Sequence, residues 1–270
     1  MSNIGWFDLG GLRLREEPQR DDCFRVVRND TEMEEHPKNS DAGRREMLHR
    51  HMSNEITSLD IAAQCLVDFP DAPWGLRMEL ARQCWDETRH ILVLWRRLRE
   101  LGGFKGEFPI STFEWCVTSA IGDIAGRLAT QNRTFEAGAM DVVGALVRMV
   151  RDELHDDETA RVLEGILADE VQHVRFANRW IRRLASEDKR VLMRVAAAVR
   201  FLSLVNAQFQ AKPGQVDAAG HVFEAPDQRV PAVNVEDRKL AEFNDAEIHE
   251  ILIQAGFRSL IPEETKEARP

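Results

Sequence analysis

Residues 86–90 read Asp86-Glu87-Thr88-Arg89-His90, and the same spelling returns as Asp169-Glu170-Val171-Gln172-His173. Positions three apart on a helix project from one face, so each Glu-x-x-His can offer a carboxylate and an imidazole to one metal ion. Eight histidines in 270 residues give roughly one such spacing by chance. Glu46 and His49 read as that chance pair, off the apolar stripe of their helix. The other two dyads interrupt stripes that otherwise face a core. Leu76, Leu80, Cys84, Ile91, Leu94, Leu98 and Leu101 flank the first, and Leu163, Leu167, Val174, Ala177, Ile181 and Leu184 flank the second.

Outward from the dyads the same periodicity predicts four helices. The first covers about 44–69, with Leu48, Met52, Leu59, Ala62 and Leu66 on one stripe, Glu55 among them, and Pro70 and Pro73 as its stop. The second spans about 74–101 and ends at Gly102-Gly103. Residues 111 to about 152 read as helix with a break, and Glu136 shares a stripe with Met140, Val143, Val147 and Val150. The fourth covers about 157–185, capped by Asp156 or Asp157.

A buried, unpaired carboxylate costs several kcal/mol, so glutamates on four core stripes demand a common cation or hydrogen-bonding partner. Glu55 lies about 15 residues before the first turn and Glu87 about 14 after it, which at roughly 1.5 Å per residue puts them at one level. Glu136 and Glu170 lie about 17 and about 13 residues from the turn near 153–157, a roughly 6 Å offset that a bend or tilt would absorb. The order Glu, Glu-x-x-His, Glu, Glu-x-x-His is the pattern of carboxylate-bridged dinuclear sites in helical bundles. It makes Glu55, Glu87, His90, Glu136, Glu170 and His173 the candidate metal ligands.

Each assignment has an alternative. The dyads could be a buried ion-pair network, and Glu55 and Glu136 could lie on solvated faces. His51, one turn before Glu55, could be an extra ligand, a support for a ligand or a surface residue. Asp86 and Asp169 could be exposed charges.

The expected organisation is an N-terminal arm over 1–43, a bundle over 44–207 and a tail over 208–270. Gly10-Gly11, Pro18 and Pro37 break the arm, which has room for short strands. Ser186 reads as the cap of a fifth helix whose Leu192, Val195, Val199, Leu202 and Val205 cover the bundle. Pro213, Gly214, Gly220, Pro226 and Pro231 mark a loop, after which Asn244 caps a short helix ending near Gly256.

Composition narrows the function. A net charge of −10 opposes general attraction to nucleic acid or anionic membranes. Cys23, Cys65, Cys84 and Cys116 show no Cys-x-x-Cys spacing, which argues against a rubredoxin-type iron centre, a zinc knuckle or a dithiol redox motif. The N-terminus lacks the pattern of a secretion signal, and no run of about 18 apolar residues occurs, so a cytoplasmic protein that does not span a membrane is expected.

Over roughly 44–185 the chain resembles the ferritin-like diiron carboxylate superfamily. The two Asp-Glu-x-x-His strings are similar to those of diiron oxygenases, a resemblance that implies Asp86 and Asp169 hydrogen-bond the ligating histidines. The string Thr134-Phe135-Glu136-Ala137-Gly138-Ala139-Met140-Asp141 and the surroundings of His173 resemble an uncharacterised bacterial family of ferritin-like proteins, which implies a fold without a substrate.

The expected fold is therefore a ferritin-like four-helix bundle with a fifth helix. The expected cofactor is two Fe ions, with a Mn/Fe pair as an alternative, since carboxylates and imidazoles suit both metals. Such a centre implies an oxidase or oxygenase that uses dioxygen to hydroxylate or N-oxygenate a small-molecule substrate, supplied by an external electron donor. The chain has no tyrosine, which argues against a radical-generating ribonucleotide reductase subunit. Rubrerythrin-like peroxidases carry a Cys-rich module that is absent here. Met140 stands where the resembling monooxygenases place a threonine, so their oxygen handling does not carry over. Met140, Phe135, Trp85 and Phe176 are candidates for an apolar cavity or for core packing.

Two other functions stay open: an iron-binding or ferroxidase protein without organic substrate, and a tRNA-modifying hydroxylase. Arg175, Arg179, Arg182, Arg183, Lys189, Arg190, Arg194 and Arg200 make a locally basic stretch, which reads as a solvated face or as a footprint for RNA or an acidic partner. A homodimer is left open.

Overall fold

Ser40 starts the first long helix by accepting a hydrogen bond from the Gly43 amide, and α1 (Asp41–Asp68) ends at Phe69, just before Pro70. Pro73 opens α2 (Trp74–Glu100), and Gly102, at φ +80°, takes the left-handed conformation that ends it. The molecule, a computed structural model, is described over residues 4–28, 32–34, 36–209, 214 and 233–257. Helix makes up 70% of it and strand 5%, which sets the class as an all-α bundle.

A short α3 (Phe113–Thr118) precedes a longer composite rod. Its α4 (Ile124–Thr130), capped by Asp123, passes through a π-helical segment at Gln131–Glu136 into α5 (Ala137–Arg148), and a second π segment follows at Met149–Glu153. Each π segment carries more residues per turn than an α-helix and so rotates the side chains beyond it about the rod axis. The break expected in this region falls at residues 119–123, between α3 and α4, and two π segments add bends within the rod beyond it, Glu136 closing the first. Asp156 caps α6 (Asp157–Glu187) and also receives a two-pronged hydrogen bond from Arg97 of α2.

Antiparallel neighbours α1 and α2 pack side by side, α5 packs along α6, and α2 and α6 close the bundle. Two apolar cores fill its ends. One joins Leu48, Met52, Leu94, Leu98, Val147, Val150 and Leu163, and the other joins Ile61, Leu76, Leu80, Leu128, Ala177 and Ile181. Truncating a fully buried side chain such as Leu94 to alanine would cost about 2–5 kcal/mol. Between the two cores lies a belt of buried polar side chains.

The N-terminal segment forms a hairpin, β1 (Trp6–Leu9) with β2 (Leu12–Arg15), which turns at Gly10 and Gly11, both with positive φ. Arg15 ties it to Asp68, and Glu16 accepts from the Trp115 indole. Farther on, β3 (Val26–Val27) pairs in parallel with β4 (Ile110–Ser111).

Three expectations need correction. Ser186 lies inside α6; Asp188 instead sits at the junction and accepts from the Arg190 amide that opens α7 (Arg190–Phe209). Of the α7 residues expected to cover the bundle, Val205 is buried and Val195 and Leu202 partly so. Leu192 and Val199 face outward because only one side of α7 meets the bundle. Finally, His49 is completely buried, stacked edge-on against Phe24 and Phe108 and accepting from the Gly106 amide. The Glu46/His49 spacing is therefore structural, with Glu46 paired to Arg50. Among the described residues, Arg190–Gln208 is long and apolar enough to cross a membrane by length and composition.

Beyond α7, α8 (Val235–Leu240) was not anticipated, while α9 (Asp245–Gln254) starts at Asn244 with a full capping box to Glu247 and is followed by Gly256 at φ +89°. The loop read at Pro213, Gly220, Pro226 and Pro231 lies outside the described residues; Gly214 is in a turn. Arg238, buried, clamps this segment to α5 through Asp141 and the Ala137 carbonyl. The basic stretch is largely taken up by the chain itself. Arg175 donates to the Leu240 carbonyl, Arg179 and Arg182 pair with Glu242, and Arg190 and Arg194 pair with Asp188.

Candidate metal centre

Glu55 on α1, Glu87 and His90 on α2, Glu136 at the end of the first π segment, and Glu170 and His173 on α6 are all buried and converge in the polar belt. Their ligand atoms form two groups that could each hold a metal ion: Glu55, Glu87, His90 and Glu170 in one, and Glu87, Glu136 and His173 in the other. Glu87 belongs to both.

The two dyad glutamates reach across the centre. Glu87 Oε2 lies 3.2 Å from His90 Nδ1 while its Oε1 lies 3.5 Å from His173 Nδ1. Glu170 repeats this with Oε1 3.6 Å from His90 Nδ1 and Oε2 3.7 Å from His173 Nδ1. Glu55 approaches His90 Nδ1 alone, at 3.2 Å. The arrangement is an approximate two-fold in which each half has its own histidine and outer glutamate; Glu87 belongs to both halves, while Glu170 groups with His90 and also lies 3.7 Å from His173.

Each imidazole turns Nδ1 inward, and its Nε2 is held by the aspartate of the opposite string. His90 Nε2 lies 3.1 Å from Asp169 and His173 Nε2 lies 3.3 Å from Asp86. Arg89 donates to Asp86 at 2.6 Å and to Asp169 at 2.9 Å, linking the two supports. An Asp on the outer nitrogen fixes ring orientation and increases the basicity of the inner one. Asp86 is buried rather than an exposed charge, and hydrogen bonds from His173 and Arg89 outweigh burial to hold its carboxyl well below the usual range.

Within this cluster the charges compete for protons. Burial, followed by the charges of Glu170 and Glu55, raises Glu87 well above the ordinary carboxylate range. Burial and the Glu170 charge push Glu136 up to about 8. Burial opposes ionisation of Glu55 as well, but hydrogen bonds from His51 and His90 win and hold it well below its usual value. His90 is raised to about 11 because its bonds to Glu55 and Glu87 outweigh the burial that would lower it, and His173, likewise against burial, is raised well above its usual value by its bond to Asp86 and the charges of Glu170 and Glu87.

Four carboxylates at this density require positive charge among them. Glu170 Oε2 and His173 Nδ1 are buried and have no hydrogen-bond partner, although both point into the centre. Such orphaned donor atoms fit a metal ion, and the oxygen and imidazole set suits iron or manganese.

His51 lies outside both groups; its Nε2 is 2.7 Å from Glu55 Oε1, so it supports a candidate ligand. Three residues escaped the sequence reading. Gln83 donates to Glu87 and Glu136, and Asn132 donates to Gln83 and to Glu136 at 2.8 Å. Gln83 and Asn132 each stand one turn before a candidate ligand, a spacing that could have flagged them. The third, Glu114, starts α3 far from any dyad, and no sequence signal marks it. Burial and the charges of Glu55 and Glu170 push its carboxyl up to about 7.

A cavity of about 240 Å³ opens onto the centre beside Glu55, Glu136 and Glu170, and is otherwise lined by His51, Asn54, Ser58, Glu114, Gln131, Phe135, Ala139, Val142 and Val143. Of the four apolar residues considered for such a cavity, Phe135 alone lines it. Met140 packs in the core under α8 and α9, Phe176 stacks against His173, and Trp85 points outward.

A family model described as a protein of unknown function, DUF455, matches residues 10–249. No curated protein and no solved structure matches the chain.

Proposed function

The chain belongs to the DUF455 family, whose function is unknown, and from the geometry of its centre we propose a ferritin-like dinuclear iron oxidase or oxygenase that oxidises a small organic molecule. The observation that carries this reading is the near two-fold set of four glutamates and two inward-turned histidines, with two glutamates reaching both histidines. Glu55, Glu87, His90 and Glu170 would hold one ion, and Glu87, Glu136 and His173 the other. A pair of ferrous ions in that setting would supply the electrons for reducing dioxygen.

The chain's own residues prepare the rest. Asp86 and Asp169 fix which imidazole nitrogen faces inward, and Arg89 holds the aspartates together. Gln83 and Asn132 orient Glu136. The cavity beside the centre, with Phe135, Ala139 and Val143 on its wall, gives an organic substrate a place next to the metals, which favours this reading over an iron-handling protein.

Anaerobic Fe(II) loading followed by metal analysis should find about two ions per chain, and dioxygen should then be consumed with a change in the optical spectrum. Fewer than one ion per chain, unchanged by Glu170→Ala, would sink the dinuclear reading. Iron oxidation that ends in a mineral core, with no organic compound consumed, would turn the assignment to iron handling.

A further inference from the structure

Glu114 is the one carboxylate on the cavity wall that the metal groups do not use. It also lines a neighbouring cavity of about 190 Å³, so its side chain stands at the partition between the two. Among the described residues it has no ion-pair partner. Its hydrogen-bonding neighbour is the neutral side chain of Gln131, whose amide nitrogen also donates to Ser58 and whose Oε1 is buried without a partner.

No other group on this wall is free to balance the charge of Glu114. His51, the one basic side chain lining the cavity, is engaged by Glu55. Arg50 lines the neighbouring cavity, and its guanidinium is taken by Glu46 and the Glu34 carbonyl. Two divalent ions would cancel the four ligand carboxylates and leave Glu114 as surplus negative charge beside an apolar surface. A partly buried carboxylate beside an apolar surface is costly without a cation, and a ligand that brings one recovers part of that cost.

We propose that Glu114 anchors a positively charged nitrogen, and that the site takes a small amine whose apolar body lies against Phe135, Ala139 and Val143. This rests on the dinuclear reading above, because the metals neutralise the other carboxylates. The cavity volume is below the roughly 300–1,000 Å³ of common ligand pockets, which restricts the ligand to a small molecule. Val142, 57% exposed, marks the mouth through which the amine enters.

Three probes of one shape and different charge test this: benzylamine, benzyl alcohol and benzoate, titrated calorimetrically into anaerobic Fe(II)-loaded protein near neutral pH. Metal content is measured on the same samples. Benzylamine should bind at least about tenfold more tightly than either of the others. In Glu114→Gln, which keeps shape and hydrogen bonding, the preference should shrink to within about threefold at unchanged metal content. Equal affinities in the wild type, or no binding of benzylamine, would overturn the proposal while leaving the metal centre intact. So would a preference that survives in Glu114→Gln, since the amine would then be bound by iron directly. Wild-type protein holding fewer than one metal per chain would overturn both readings together. A wild-type preference below about tenfold overturns the proposal even if Glu114→Gln does not fold, in which case Glu114→Ala takes its place with the same expected loss of preference.

Discussion

The two halves of the centre use the same ligand types and are prepared differently. Glu55, in the regular helix α1, receives hydrogen bonds from two imidazoles, His51 and His90, and stays ionised. Glu136, on a π segment, is met by the neutral amides of Gln83 and Asn132, and burial pushes its carboxyl up to about 8. The lesson is that symmetry of ligands does not mean symmetry of charge. The Glu55 half already holds its outer carboxylate as an anion, whereas the Glu136 half must release a proton before it can bind a cation.

Removing carboxylates gives the largest effects and tests this asymmetry directly. Glu87→Ala deletes the ligand common to both groups, so bound metal should fall from about two ions per chain to below one. Glu55→Ala and Glu136→Ala should each leave about one ion per chain, in opposite halves. If Glu55→Ala and Glu136→Ala both empty the site completely, the halves are not separable and the comparison fails.

The crossed aspartates come next. Asp86 supports the histidine of the second string and Asp169 that of the first, so each string braces the other half. Loss of such a support lowers metal affinity by about 10–100-fold. In a Glu136→Ala background, where only the His90 half is occupied, Asp169→Asn should weaken binding by that factor and Asp86→Asn should leave it within about threefold. Equal losses from the two substitutions would mean that Arg89 couples the aspartates so tightly that neither serves one half alone.

Much of this was legible in the sequence because it depends on helical spacing. The dyads and the Glu55 level follow from a 3.6-residue repeat measured from proline turns, and α1 and α2 obey it without interruption. Glu136 matched less well because two π segments lie in its rod, and nothing in Gln131–Glu136 announces a π turn. The crossing of Asp86 to His173 and of Asp169 to His90 is a property of how α2 and α6 face one another, which spacing along one chain cannot encode. Glu114 was illegible for the same reason, since only the placement of α3 beside α1 brings it to the cavity. Arg179 and Arg182 read as a free basic face in the sequence, whereas Glu242 of the C-terminal segment neutralises them in the fold.

The smallest effect, a shift in melting temperature with pH, tests whether protons occupy the places that cations would take. In metal-free protein the folded state holds extra protons on His90, raised from 6.5 to about 11, and on Glu136, raised from 4.5 to about 8. A group whose folded pKa lies above its unfolded one stabilises the fold below the unfolded value and loses that contribution as pH climbs to the folded value. Both groups therefore act in the same direction between about pH 6.5 and 8, and His90 continues above that range. Asp86 and Glu55, held low, lose their contributions only in acid and leave this interval alone. Metal-free protein should melt lower as pH rises from about 6.5 to 8.5, by on the order of several degrees. Metal binding must expel the same protons and so strengthens over the same interval. Calorimetric scans with and without metal should show the gap between loaded and metal-free melting widening with pH. A metal-free melting temperature that rises with pH, at a constant gap, would mean that the raised groups are not proton-filled ligands and that the two halves do not differ in charge.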